Sequence, residues 1–161
     1  MLLFRLNSLT DGERRFVVAH LASAMIGAIL AFNAVMRMGQ GKFFAQPLSA
    51  YEIWIILAGA IGGALGLYLN RHRMGQGGPI GVLQALGATV MANMTGAVIC
   101  GTLALPLYGT MFGPFTMIVI LVSSPMVFVI WVGNQVAAHL LMARYYAERD
   151  SIFVGLAAKA A

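Results

Sequence analysis

Charge is what this chain has least of. Its 161 residues hold ten Lys and Arg and five Asp and Glu, 9% of the total, against about 25% in an ordinary soluble domain. With a hydrophobic share of 60%, that deficit excludes a water-soluble globule and a disordered chain alike. Cysteine is nearly absent too. A lone Cys100 inside an apolar run permits no disulfide within the chain and no Cys/His zinc spacing. The net charge of +5 comes without the basic and aromatic interleaving that nucleic-acid binding needs, so no nucleic-acid partner is expected. The basic residues cap apolar runs instead, a pattern that orients membrane helices and meets anionic lipid headgroups.

The apolar runs are long. A spanning helix needs about 20 apolar residues, each rising about 1.5 Å. Four segments qualify: 16–36, 53–70, 80–105 and 115–143. No Asp, Glu, Lys or Arg occurs from Met74 to Met142; Leu105-Pro106-Leu107-Tyr108-Gly109 divides that stretch into the last two spans. The expectation is an all-α, polytopic membrane protein, one transmembrane helical bundle over residues 1–161. The alternative for the uncharged stretch is a long hairpin buried among partner subunits.

Local signals mark the boundaries. Thr10-Asp11-Gly12-Glu13 and Ser49-Ala50-Tyr51-Glu52 read as capping boxes. Gln76-Gly77-Gly78-Pro79 reads as a turn whose proline opens the third helix. Pro125 follows Ser123-Ser124 inside the fourth span and should kink it, because it removes one backbone donor and crowds the preceding turn. Residues 1–9, with Leu2, Leu6 and Leu9 on one side, have the pattern of a short interfacial helix.

With four spans, Arg5, Arg14, Arg15, Arg71, Arg73, Arg144, Arg149 and Lys159 share one side, and Arg37 and Lys42 the other. The imbalance predicts both termini in the cytoplasm and a multi-pass protein of a cell inner membrane. The small triplet Ala22-Ser23-Ala24 falls within the first run rather than after it, so that span is read as an uncleaved anchor. An internal echo is also visible: Arg37-Met38-Gly39-Gln40-Gly41 recurs as Arg73-Met74-Gly75-Gln76-Gly77. Small apolar alphabets produce such matches readily, and no function is built on it.

Lipid tails are as apolar as leucine, so close backbone approach, dispersion and interhelical hydrogen bonds must hold the bundle. Small residues recur at four-residue spacing for this purpose. They are Ala19, Ser23, Gly27 and Ala31 in the first span, and Gly59 and Gly63 beside Gly62 and Gly66 in the second. The third has Ala88, Ala92 and Gly96 with a parallel row through Ala85, Thr89, Asn93, Ala97 and Gly101, and the fourth has Gly133 and Ala137. Four helices should leave some of these grooves spare, which predicts a homo-oligomer or docking onto other membrane subunits.

Reactive groups are scarce. No carboxylate, Lys or Arg lies within a span, which disfavours proton-coupled transport and carboxylate-based or Ser-His-Asp hydrolysis. His20 and His139 are the exceptions. Each lies about four residues inside its span, roughly 6 Å below the same surface at about 1.5 Å per residue. One reading is a bis-histidine site for b-type haem or a metal. The plainer reading is two interfacial imidazoles satisfied by Gln135, Ser23, a carbonyl or water, and no cofactor. Met36, Met38, Met91, Met94 and Met111 could offer soft sulfur to copper, though methionine is equally a packing residue. Asn93, Asn134, Gln135 and Thr89 could line a path or join helices, while Arg71 and Arg73 suit lipid headgroups.

The sequence therefore predicts a non-enzymatic membrane protein, first as an accessory or assembly subunit of a larger membrane complex. The alternatives are a small oligomeric channel or facilitator for an ion or neutral solute, and a haem b electron carrier.

Overall fold

The computed structural model is all-helical and describes residues 9–39 and 47–160, with side chains as far as Ser151. The interfacial helix expected over residues 1–9 falls outside the described residues for all but its last position, as do Arg5, Lys42 and the side chain of Lys159. Helix α1 spans Asp11–Met38, α2 Ala50–Asn70, α3 Gly78–Ala104, α4 Gly109–Ser123 and α5 Pro125–Ala160. A single 3₁₀ turn, Arg71–Arg73, follows α2.

Among the described residues, four helices are long and apolar enough to cross a membrane: α1, α2 with its 3₁₀ turn, α3, and α5 over Pro125–Ser151. Both expected capping boxes form. The Thr10 hydroxyl accepts from Glu13 N at 3.2 Å and Glu13 accepts from Thr10 N at 2.9 Å. Ser49 and Glu52 repeat the arrangement at the start of α2. Pro79 lies in the first turn of α3, where its missing N–H has no helical partner to lose.

The fourth span differs from the expectation. A kinked helix over 115–143 is replaced by two helices broken at Ser124, whose backbone is extended at φ −134° and ψ 93°. Pro125 accounts for the break. Its ring pushes the preceding residue out of the α region, and it has no N–H to donate. Helix α4 is consequently too short to count as a span by itself, and α5 is the fourth helix long and apolar enough to cross.

Close contacts fix the order of the layers. At one end of the bundle Gly12 lies against Glu148, and Gly75 against Met142 and Ala143. Gly75 has a φ of +77° and a Cβ there would stand 2.6 Å from Ala143 N, so both its conformation and its space demand glycine. At the other end Gly101 meets Gly109 across the α3–α4 turn. The chain therefore descends through α4 and α5 in series.

Glycine contacts set the helix spacing. A Cβ on Gly27 would lie 2.1 Å from the Gly59 carbonyl, and one on Gly63 2.1 Å from the Ser23 carbonyl. On the opposite flank of α2, a Cβ on Gly62 would lie 2.4 Å from the Gly96 carbonyl and one on Gly66 2.3 Å from that of Ala92. Thus Gly59 and Gly63 face α1, while Gly62 and Gly66 face α3. The two small faces of α2 are both filled within the chain. The Gly133 row on α5 is the contrast: a Cβ at Gly133 meets nothing within 4 Å.

Buried side chains then fill three clusters. One joins Ala19, Leu67, Met74, Ala88, Ala138 and Met142 at the Gly12 end. Another gathers Leu30, Met117, Ile120 and Val127 around the α4–α5 break. The third holds Ala31, Val35 and Ile55. Outward faces carry large apolar side chains such as Leu83, Leu86, Val122 and Val129, which suits a helix surface that meets lipid.

Gly63→Val is expected to lower the midpoint of thermal unfolding in mild detergent, since overpacking costs about 1–3 kcal/mol. Gly133→Val, at an open position, should leave that midpoint unchanged.

Candidate functional site

The interior is not filled throughout. A cavity of about 360 Å³ runs between the helices, within the range of small-molecule pockets, about 300–1,000 Å³. Helices α1 to α4 form its walls, and Gln135 of α5 closes part of its deep end. Glycine and alanine make the space: Gly27, Gly59, Gly96, Ala97 and Gly113 all line it. Where two helices touch backbone to backbone, little side chain projects into the volume beside them. Met38, Tyr51, Leu105 and Phe112 line the far end and are all well exposed, so they mark the mouth.

The chemistry of the lining is restricted. It contains no Asp, Glu, Lys, Arg or His. Its polar side chains are Ser23, Tyr51, Asn93, Cys100, Thr116 and Gln135. Tyr51 donates its hydroxyl to the Ala104 carbonyl at 2.8 Å, and Trp54 Nε1 donates to the Leu103 carbonyl at 2.9 Å. These two rings tie the start of α2 to the end of α3 at the mouth.

Asn93 anchors the deep end. Its Oδ1 accepts from Trp131 Nε1 at 2.8 Å and from Gln135 Nε2 at 3.4 Å, and its Nδ2 donates to the Thr89 carbonyl at 2.6 Å. Trp131 and Gln135 stand four residues apart, so one face of α5 delivers both. Asn93 and Gln135, proposed from sequence as path or joint, thus meet in one network. Thr89 takes part through its backbone. Trp131 was not expected, although a ring whose N–H needs a partner in oil, one turn before Gln135, was the available signal. Asn134 stays apart: its Nδ2 is buried with no hydrogen-bond partner, and it does not line the cavity.

The histidines take different partners. His20 Nδ1 pairs with the Phe16 carbonyl of its own helix at 2.8 Å, its ring packs on Phe16 at 4.2 Å, and Nε2 is buried with no hydrogen bond. His139 Nδ1 accepts from the Gly75 backbone N–H at 3.1 Å. A neutral imidazole that accepts at Nδ1 carries its proton on Nε2. Metal-bound histidine has the reverse arrangement, donating from one ring nitrogen while the other ligates. His139 is therefore set as a backbone clamp on the Gly75 turn, a state that does not fit an axial ligand. Among the described residues, no group of three or more His, Cys, Asp and Glu side chains could hold a metal ion.

Arg71 stacks over the Tyr68 ring at 3.8 Å and donates to the Tyr68 carbonyl, while Tyr146 donates to the Arg71 carbonyl. Arg73 is exposed beside it. The packing residues Ser23, Gly27, Gly59, Gly62, Gly63, Gly66 and Gly96 all take part in the close helix contacts described above. Comparison with family models, with characterised proteins and with solved structures finds no match for this chain.

Asn93→Leu is expected to leave Trp131 Nε1 without its acceptor. Interhelical hydrogen bonds in membranes average about 0.6 kcal/mol, so the unfolding midpoint should fall modestly and the Trp131 emission should shift. Cys100, which lines the cavity, is expected to react faster with a neutral maleimide than with a sulfonated reagent of similar size.

Proposed function

We propose that this chain is a non-enzymatic, multi-pass membrane protein that admits a small neutral solute into its bundle, as a binding protein or facilitator. The observation that supports this reading is a cavity of about 360 Å³ with no formally charged lining residue. An ion in that space would lose its hydration without a counter-charge, a cost of several kcal/mol or more. A neutral molecule loses little and gains the contacts the cavity lacks when empty.

The proposal includes an inner-membrane location with both termini cytoplasmic. Arg14, Arg15, Arg71, Arg73, Arg144 and Arg149 cluster toward the end where Gly12 meets Glu148, and Arg37 lies toward the mouth. Excess Lys and Arg favours the cytoplasmic side, and anionic lipid headgroups are the partners of that rim.

A second reading, association with other membrane subunits or another copy, rests on a narrower base than the sequence implied. With both faces of α2 occupied, the open positions Gly87 and Gly133 support it.

The proposed function is tested by uptake into proteoliposomes. A panel of small neutral solutes should enter faster than into empty liposomes, and ions of similar size should not. Thr116→Phe, which places a ring in the cavity, should return uptake to the level of empty liposomes. Equal uptake by the two kinds of liposome would reject the facilitator reading.

A further inference from the structure

We infer that the cavity is a slot for one hydrocarbon chain of a lipid, inserted tail-first from the mouth. This deepens the proposed function and rests on it by naming the class of molecule.

Shape is the first argument. The lining extends along α1 from Ser23 to Met38 and along α2 from Tyr51 to Leu67. At about 1.5 Å per residue the slot is roughly 20 Å long. A space of about 360 Å³ strung between those two ends is elongated. A linear chain fills it and makes contacts along both walls.

Chemistry is the second. Between mouth and floor the slot presents mainly Ile, Leu, Met, Ala and Gly, with no charge. The polar floor does not call for a polar ligand group. Asn93 Oδ1 already accepts two donors, from Trp131 and Gln135. Asn93 and Gln135 line the deep end, and a terminal methyl can rest against them. The polar end of the ligand remains at the mouth, beside the Tyr51 and Trp54 rings, whose donors are held by the Ala104 and Leu103 carbonyls. Aromatic side chains of this kind mark the boundary between membrane and water, so the mouth stands where a lipid head resides and the floor where its tail ends.

The experiment uses the full chain in nanodiscs. The chain has two tryptophans, so Trp54→Phe leaves Trp131, hydrogen-bonded to Asn93 at the floor, as the sole emitter. A long-chain primary alcohol brominated near its terminal methyl should quench Trp131 saturably, and the same alcohol brominated near its hydroxyl should not. Thr116→Phe and Ala34→Phe should each abolish the saturable component and leave only background quenching from the surrounding lipid. In the unmutated protein the unbrominated alcohol should protect Cys100 from a neutral maleimide, a readout that needs no substitution to fold. Phosphatidylcholine brominated near its tail ends distinguishes the sources. Equal quenching assigns the chain to a bilayer phospholipid, and quenching by the alcohol alone assigns it to a free single-chain lipid. Quenching independent of bromine position, or unchanged in both filled variants, would overturn the inference. Uptake of small neutral solutes without chain binding would overturn this inference and leave the facilitator reading intact. Chain binding without uptake would do the reverse.

Discussion

The contact of bare backbone with bare backbone along α2 is the constraint on which the rest of this bundle depends. In water, burying leucine would draw the helices together. Helices apolar enough to cross a membrane would lack that driving force in oil, where association comes from dispersion at short range and from polar contacts. Gly59 and Gly63 bring α2 onto α1, and Gly62 and Gly66 bring it onto α3. A single methyl at any of these four positions would stand 2.1–2.5 Å from an atom of the facing helix, well inside contact distance. Helix α2 is thus a central plate with a neighbour pressed on each flank.

That tightness has a cost in volume elsewhere. Helices that meet through glycine have no side chains to fill the space beside the contact line. The cavity lies along those lines, bounded by Gly27, Gly59, Gly96 and Gly113. Packing and empty space are therefore two consequences of one compositional choice. The break at Ser124 belongs to the same economy of means. It lets α4 fold back against α3 through Gly113, at Ala97, while α5 lies against α1 and presents Trp131 and Gln135 to Asn93. An unbroken helix would have to serve both neighbours along one straight line.

The polar groups divide by purpose. Asn93 joins α3 to α5 in mid-bundle. His139 clamps the turn at Gly75, where a positive φ and a close approach leave room only for glycine. Tyr51 and Trp54 tie α2 to α3 at the opposite end, and Tyr146 ties α5 to Arg71. Each of these bonds links segments distant in sequence, so together they hold the ends and the middle in register while glycine sets the spacing.

Hydropathy and capping, both local properties, are enough to read four apolar crossings, the helix starts after Thr10 and Ser49, and the turn before Pro79 from the sequence. The small residues of α2 are equally plain, because four-residue spacing places them on a face. Which partner each face meets is not local. Gly59 and Gly62 differ by less than one turn, and only the packed bundle assigns one to α1 and the other to α3. The same holds at the candidate site. Asn93 could be singled out as a polar residue in mid-span, but its partner Trp131 lies on another helix, and the side that helix presents depends on the break at Ser124. Pro125 announces a disturbance in the chain, and whether it bends or severs the helix is decided by what the two halves can pack against. Tautomers follow the same rule. A histidine four residues from a membrane edge looks like a ligand or a bystander until the N–H of Gly75 reaches its ring and settles which nitrogen holds the proton. Composition made four helices long and apolar enough for a membrane; the empty space between them exists only because particular backbones come too close for side chains to follow.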